Sequence, residues 1–391
     1  MVGDRRAIVT QQIQGRIVLP DGVVGGSLHF HGERIAAITP AADSGPYLVP
    51  GYIDLHVHGG DNADFMDGTP EAFERVCQAH ARHGTTAVLA TSTVGTHEHI
   101  LRFLQTCQQV MHQPTGGAVV CGAHFYGPYF AEKARGCHPG QAVRPPLAPE
   151  YHEYLRFAAV IRLATVAPEL PEAEAFARAC AEAGVRLNAG HSHATWEQVE
   201  AAIGWGVRHV DHLFCAMSDR ARLRQSQTYP MRGGLMEATL YFDELTTEVI
   251  ADGKHLSPEL LRLAYKCKGP DRLALVTDAN RALGMPDGEY LFGPADGGEP
   301  IVRRDGVGLM PDGQSLASGV MGLDHAVRTM REATGAPLPE VIRMASLTPA
   351  RIAGLESERG SLEVGKRADF LVLNDSLEIQ EVWIAGQRIV G

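Results

Sequence analysis

With 391 residues, 45% of them apolar and 21% charged, the chain has the composition of a soluble globular protein, long enough for one large domain and a smaller one. Its 46 acidic against 35 basic side chains give a net charge of -11, which argues against a nucleic-acid partner but leaves room for an anionic small molecule at a locally basic site. No run of about 18 uncharged apolar residues occurs, so no membrane span is expected. The first 14 residues lack the apolar core of a secretory signal. Seven cysteines, an odd number with no C-x-x-C pair, read as free thiols of a reducing, cytoplasmic compartment.

In chain order, residues 1–48 predict short strands at 15–19, 23–30 and 35–38, separated by Asp21-Gly22 and His31-Gly32 turns. The C-terminal end predicts the same kind of structure at 368–373, 381–385 and 387–390. Neither end alone has enough strands to bury a face, so one small β-sandwich domain built from both termini, 1–48 plus 355–391, is expected. Between them, residues 49–354 alternate strand-like runs with helical patterns, as a parallel sheet with crossover helices requires. The runs lie at 48–58, 85–92, 118–125, 160–166, 185–191, 207–213, 246–251 and 272–277. Eight is the number that closes a (β/α)8 TIM barrel, and the expected fold class is α/β on that plan. Helices are predicted at 70–83, 97–112, 172–183, 196–203, 258–267, 323–334 and 338–344, the first entered through Thr69 as cap and Pro70 in the first turn. Residues 218–231 are polar and Arg-rich and predict a long loop.

The residues at the strand ends carry the functional signal. The first run ends D-L-H-V-H, and residues two apart face the same side of a strand, so His56 and His58 both point into the barrel mouth. Further histidines close the third, fifth, sixth and seventh runs, with His191, His212 and His255 among them, and the eighth ends V-T-D-A at Asp278. Neutral imidazoles hold a divalent zinc-type ion while leaving coordination open for water. A carboxylate beside that water can take its proton and pass it on. The collected strand ends therefore predict a metallohydrolase with His56, His58, His191 and His212 as ligands and Asp278 as the acid/base, carrying one or two ions, zinc or alternatively iron.

Taken together, L-V-P-G-Y-I-D-L-H-V-H-G-G, T-V-A-P-E, N-A-G-H-S-H-A-T, D-H-L-F-C-A-M, I-A-D-G-K-H-L-S-P, V-T-D-A and L-T-P-A-R-I-A-G-L resemble the amidohydrolase superfamily, and more narrowly its N-acetylglucosamine-6-phosphate deacetylases, over nearly the whole chain. The resemblance implies hydrolysis of the acetamido group of an amino-sugar phosphate to the free amine and acetate, in a homodimer. It also implies substrate contacts from His138, His255, Cys215 and Ala216, and a phosphate contact from Arg232.

Three positions depart from the family pattern. Where the family reads H-L-E-G-P with a metal-binding Glu, this chain reads H-F-Y-G-P, so Tyr126 takes that place. A phenol, with an unperturbed pKa of about 10, is a poorer ligand than a carboxylate, and Tyr126 is expected to contact substrate instead. Cys215 stands where the family has Asn. Arg232 sits one place away from the family's phosphate-binding Arg, with Arg220, Arg222 and Arg224 in the preceding insertion as substitutes. His193 replaces a family Asp and is expected to support His191 from behind. These departures keep two other readings open: deacetylation of an unphosphorylated or different N-acyl amino sugar, and a non-catalytic sugar-binding relative.

Overall fold

A computed structural model of the chain describes residues 11–218 and 230–391. Arg220, Arg222 and Arg224 lie outside the described residues.

Eight parallel strands form one sheet in sequence order: Tyr52–Val57, Thr85–Thr91, Val119–Tyr126, Ile161–Val166, Arg186–Ala189, Val207–Val210, Thr246–Ile250 and Leu273–Val276. The last strand returns to the first. The Asp278 N–H donates to the His56 carbonyl at 2.8 Å, and the His58 N–H donates to the Ala279 carbonyl at 2.9 Å, closing a (β/α)8 barrel at its C-terminal mouth. The strands are buried on nearly every residue because helices cover their outer face while side chains fill the inside.

The predicted helices form at Pro70–Ala81, His97–Val110, Ala173–Glu182, Trp196–Trp205, Pro258–Lys268, Leu323–Thr334 and Leu338–Ala345. Thr69 caps the first through its hydroxyl, which accepts from the Ala72 N–H at 3.2 Å. Each amphipathic helix buries one face on the barrel; Phe73, Val76 and Phe103 pack against Val88 and Val120 in the main core.

Three further helices, Ala148–Tyr154, Leu235–Tyr241 and Leu347–Ala353, lie where no helix is expected from sequence. At seven residues each they span fewer than two turns, too short for a 3.6-residue period to emerge. The last of them contributes Ala350, Ile352 and Ala353 to an apolar cluster with Leu89, Leu163 and Val276, at the end of the barrel where the strands of Arg186, Arg208 and Thr246 begin. It closes the mouth opposite the histidines. A three-stranded antiparallel sheet, Gly288–Phe292, Glu299–Arg304 and Val307–Leu309, also follows the eighth barrel strand.

The run at 48–58 divides into two strands. Tyr47–Pro50 joins a seven-stranded sheet made with Gln11–Leu19, Gly22–His31 and Arg34–Pro40 from the N-terminal end and Phe370–Leu373, Ile379–Ile384 and Gln387–Val390 from the C-terminal end. Tyr52–Val57 starts the barrel. Gly51 is the crossing point, and a Cβ there would sit 2.2 Å from the Thr86 hydroxyl. The terminal sheet curls until Arg34 at one edge bridges Arg367, which leads into the strand Phe370–Leu373. It encloses its own core of Ile17, Leu28, Phe30 and Phe370, with Phe370 stacked on Trp383 at a centroid distance of 5.4 Å.

Candidate active site

The C-terminal ends of the barrel strands meet in a pit at the floor of a cleft of about 660 Å³. His191, His212 and Asp278 hold positive φ values of 44°, 22° and 45°, a region that non-glycine residues seldom occupy. This backbone turns each side chain out of its strand line and into the pit. Gly190 permits the approach of the fifth strand to the sixth, since a Cβ there would lie 2.5 Å from a carboxylate oxygen of Asp211.

His56 and His58 are both fully buried. The Nδ1–H of His56 donates to Glu248 at 2.6 Å, and the Nδ1 of His58 lies 3.3 Å from the Thr91 carbonyl. Each Nε2 therefore faces the pit, and neither makes a hydrogen bond. Burial opposes a charge on His56, but Glu248 and Asp278 outweigh it and raise its pKa to about 9, so an ion bound there displaces a proton. Asp278 faces both, with Oδ1 3.1 Å from His58 Nε2 and 3.6 Å from His56 Nε2. Two inward nitrogens without partners and a carboxylate, with one imidazole oriented by a second carboxylate, are a donor set suited to a divalent ion. His56, His58 and Asp278 lie close enough together to share one.

Across the pit, His191 donates from Nδ1 to the Ala134 carbonyl at 2.7 Å, so its Nε2 also faces inward. That atom lies 3.2 Å from His212 Nε2. The Tyr126 hydroxyl lies 2.6 Å from the same His212 nitrogen. The phenol is buried, packed edge-on against Phe130 at a centroid distance of 4.8 Å. Phe130 in turn stacks on His191 at 4.3 Å.

Burial and the carboxylates of Asp278, Asp211 and Glu248 hold the Tyr126 proton well above its ordinary pKa. Burial lowers His212 to about 4 and pushes His191 and His138 well below the usual histidine range, so all three imidazoles are neutral. Burial alone would raise Asp278, but the charge of His56 and the proximity of His58 outweigh it and keep the carboxylate ionised, well below its ordinary pKa. Ser318 donates to the Asp278 carbonyl and stands 3.3 Å from its carboxylate.

The other expected substrate positions divide. His138, His255, Cys215 and Ala216 all line the cleft. The Val94 N–H donates to His138 Nδ1 at 3.3 Å, which leaves the His138 proton on Nε2. His255 holds Asp252 through Nδ1 at 2.7 Å. Burial opposes its charge, but the hydrogen bond and charge of Asp252 raise its pKa. The Cys215 N–H is spent on the His212 carbonyl at 3.0 Å, and burial raises the thiol to about 12.

Arg232 is not brought to this cleft. Its guanidinium pairs with Glu197 at 3.0 Å on an exposed surface, because the turn into the helix Leu235–Tyr241 faces it outward. The basic side chains among the described residues of the cleft lining are Lys133 and Arg135. His193 is held through its backbone N–H by Glu169, whose other oxygen accepts from Ser192. It thus steadies the turn behind His191.

His124, counted among the strand-end histidines, stays below the pit. Its Nδ1 meets the Leu55 carbonyl at 3.1 Å and its Nε2 meets Thr165 at 2.8 Å. It lies two residues before Tyr126 on the same face, hence one layer deeper. The residue that sequence reading missed is Glu248, which orients His56. It reads there as a lone Glu in T-T-E-V-I, the ordinary signature of a solvated strand face, and only its alternation with the inward Ile250 hints otherwise.

The chain belongs to the amidohydrolase family, whose model matches residues 47–389. Its relatives concentrate in one branch of that family, the N-acetylglucosamine-6-phosphate deacetylases, in which this chain takes its place. It is 35% identical to the N-acetylgalactosamine-6-phosphate deacetylase of Escherichia coli O157:H7, over 90% of this chain and 92% of the relative. It is 32% identical to the N-acetylglucosamine-6-phosphate deacetylase of Vibrio furnissii, over 94% of this chain and 89% of that one. A variant of the Mycobacterium smegmatis enzyme solved in complex with N-acetyl-D-glucosamine-6-phosphate superposes with a TM-score of 0.89 at 28% identity, covering 98% of this chain and 100% of its own.

Proposed function

We propose that the chain hydrolyses the N-acetyl group of an amino-sugar 6-phosphate, releasing acetate and the free amine, with N-acetylglucosamine 6-phosphate as the reference substrate. The observation that carries this reading is the convergence of His56, His58, His191, His212 and Asp278 on one buried pit. It does so in a chain that shares about a third of its residues with deacetylases of two such sugars. A bound divalent ion, zinc or alternatively iron, supplies Lewis acidity for the acetamido carbonyl and makes water acidic enough to act at neutral pH. Its donors are drawn from those five residues.

The remaining chemistry belongs to the chain. Asp278, ionised and at the floor of the cleft, accepts the proton of the attacking water and delivers it to the sugar nitrogen as the C–N bond breaks. His138, neutral and with its proton on Nε2, offers a hydrogen bond to the acetamido oxygen. His255, drawn toward its charged form by Asp252, meets the anionic end of the substrate together with Lys133 and Arg135. Tyr126 and the Cys215-Ala216 turn shape the wall between them. In this reading Arg232 serves a phosphate only across a homodimer, in a neighbouring subunit's cleft, which sedimentation and Arg232→Ala kinetics test together. The seven free thiols suit a reducing, cytoplasmic setting, and no helix of the described residues is long and apolar enough to cross a membrane.

Acetate release tests the reading. The metal-loaded protein should turn over N-acetylglucosamine 6-phosphate at least tenfold more efficiently, by kcat/KM, than the free sugar. A second reading, the galactosamine epimer, is favoured by the 35% identity to the Escherichia coli relative, and the same assay with N-acetylgalactosamine 6-phosphate ranks the two. Absence of acetate from every phosphorylated and free sugar would overturn the function.

A further inference from the structure

The two halves of the pit differ in whether their inward Nε2 nitrogens are already satisfied. Donors of one tetrahedral ion, each about 2.0–2.1 Å from it, stand about 3.3 Å apart. The 3.1 Å and 3.6 Å separations of Asp278 from His58 and His56 match that spacing. Their buried Nε2 atoms make no hydrogen bond within the protein, a costly state unless a ligand completes it. Across the pit, the Tyr126 hydroxyl stands 2.6 Å from His212 Nε2, a hydrogen-bonding distance and too short for two ligands of one ion.

That hydroxyl has nowhere to go. Its ring is wedged between His56, at a centroid distance of 4.3 Å, and Phe130 at 4.8 Å, and the Tyr126 N–H is fixed by Ser92 at 2.8 Å. Charge points the same way. Two divalent ions in one pit stand roughly 3.5–4 Å apart and need bridging anions. The third strand brings a neutral hydroxyl to the pit. Glu248 is tied to His56 and His209, and Asp211 to Thr165 and Asn188.

We propose that Tyr126 closes the His191–His212 half of the pit to metal, so that the chain carries a single ion on His56, His58 and Asp278, and His191 and His212 serve as neutral hydrogen-bonding groups of the cleft wall. This rests on the hydrolase reading but is separable from it, since it concerns where an ion sits and how many there are.

The test measures ions per chain by elemental analysis, after loading the full-length protein with zinc or cobalt and desalting, together with the visible spectrum of the cobalt form. Wild type should retain one ion. His58→Asn should retain less than about a tenth of one. His191→Asn should retain one, with the cobalt bands unchanged. Tyr126→Glu should raise the count toward two and add a second set of bands. Circular dichroism establishes that each variant is folded, and should Tyr126→Glu fail to fold, the His58 and His191 variants decide. Two ions or none in wild type, or loss of the ion in His191→Asn with retention in His58→Asn, would overturn the proposal. Acetate release is scored separately: one ion without turnover leaves the seat standing and removes the proposed function, whereas turnover with two ions does the reverse.

Discussion

The barrel interior holds two layers of histidines and carboxylates that look alike in composition and differ in what their atoms do. The upper layer, His56, His58, His191, His212 and Asp278, meets the cleft through His191, His212 and Asp278, and the Nε2 atoms of His56 and His58 and the Nδ1 of His212 are left without partners. The lower layer, His124, His209, Asp211 and Glu248 with Thr165 and Asn188, is almost wholly cross-linked. Glu248 joins His56 to His209, His209 meets Thr246 at 2.8 Å, and Asp211 accepts from Thr165 at 2.7 Å and from Asn188 at 2.9 Å. His209, Asp211 and Glu248 are spaced closely enough to hold an ion, yet their atoms are already engaged in hydrogen bonds within the layer. Donor type and spacing alone do not make a metal seat; donors left unsatisfied beside a cleft do. His80 marks the other limit: its buried Nδ1 lacks a partner, but it joins no donor cluster among the described residues.

Charge separates the layers as well. Burial raises Glu248, but His56 and His209 outweigh it and hold the carboxylate ionised, well below its ordinary pKa. Burial and the charge of Glu248 raise Asp211 to about 7. The lower layer thus keeps one fixed negative charge directly beneath His56, where it orients the imidazole and strengthens it as a donor.

Substitutions can break this comparison. The largest effect is expected at Asp278→Asn, which removes the proton acceptor of the upper layer. Turnover should fall by about 10³ or more with the melting temperature nearly unchanged, and steady-state kinetics beside calorimetry would read both. An active Asp278→Asn protein would show that the acid/base lies elsewhere. Glu248→Gln strikes the lower layer instead, leaving His56 and His209 without their shared anion. A stability loss of about 3–5 kcal/mol is expected in urea unfolding, with metal affinity weakened about 10- to 100-fold. If stability alone changes, the two layers act independently.

His80 sharpens the comparison through pH. Burial lowers its pKa to about 4 while its Nε2–H donates to the Gly59 carbonyl at 2.9 Å. Because the folded pKa lies below the unfolded value of about 6.5, the unfolded chain binds the extra proton. Its contribution is therefore complete above about pH 6.5 and is lost as pH falls toward 4, by about 3 kcal/mol in all. Unfolding curves across this range should be steeper in pH for wild type than for His80→Gln; equal slopes would remove His80 as the cause. The smallest effect is expected at Arg232→Ala. An exposed pair with Glu197 is worth under about 1 kcal/mol, so the melting temperature should scarcely move, whereas KM for a phosphorylated sugar rises only if the residue reaches a neighbouring subunit.

Much of the fold was legible because its elements are long and strongly patterned. Helices of ten residues or more declared themselves by period and by caps such as Thr69, and all eight barrel strands by apolar runs, six of them closing on His or Asp. The seven-residue helices and the strands Gly288–Phe292, Glu299–Arg304 and Val307–Leu309 carried no comparable pattern. They owe their form to surfaces supplied by the barrel.

The division for the site is similar. Local sequence by itself determined that His56, His58, His191, His212 and Asp278 stand at strand ends facing one mouth, because two-residue alternation and the parallel order of strands leave little choice. Tertiary structure alone decided that Glu248 lies under His56, that the Tyr126 hydroxyl meets His212, and that Arg232 turns to Glu197 rather than to the cleft. Each of these pairs joins residues from different strands or helices. Such partners are set by how the elements pack, which no local pattern encodes.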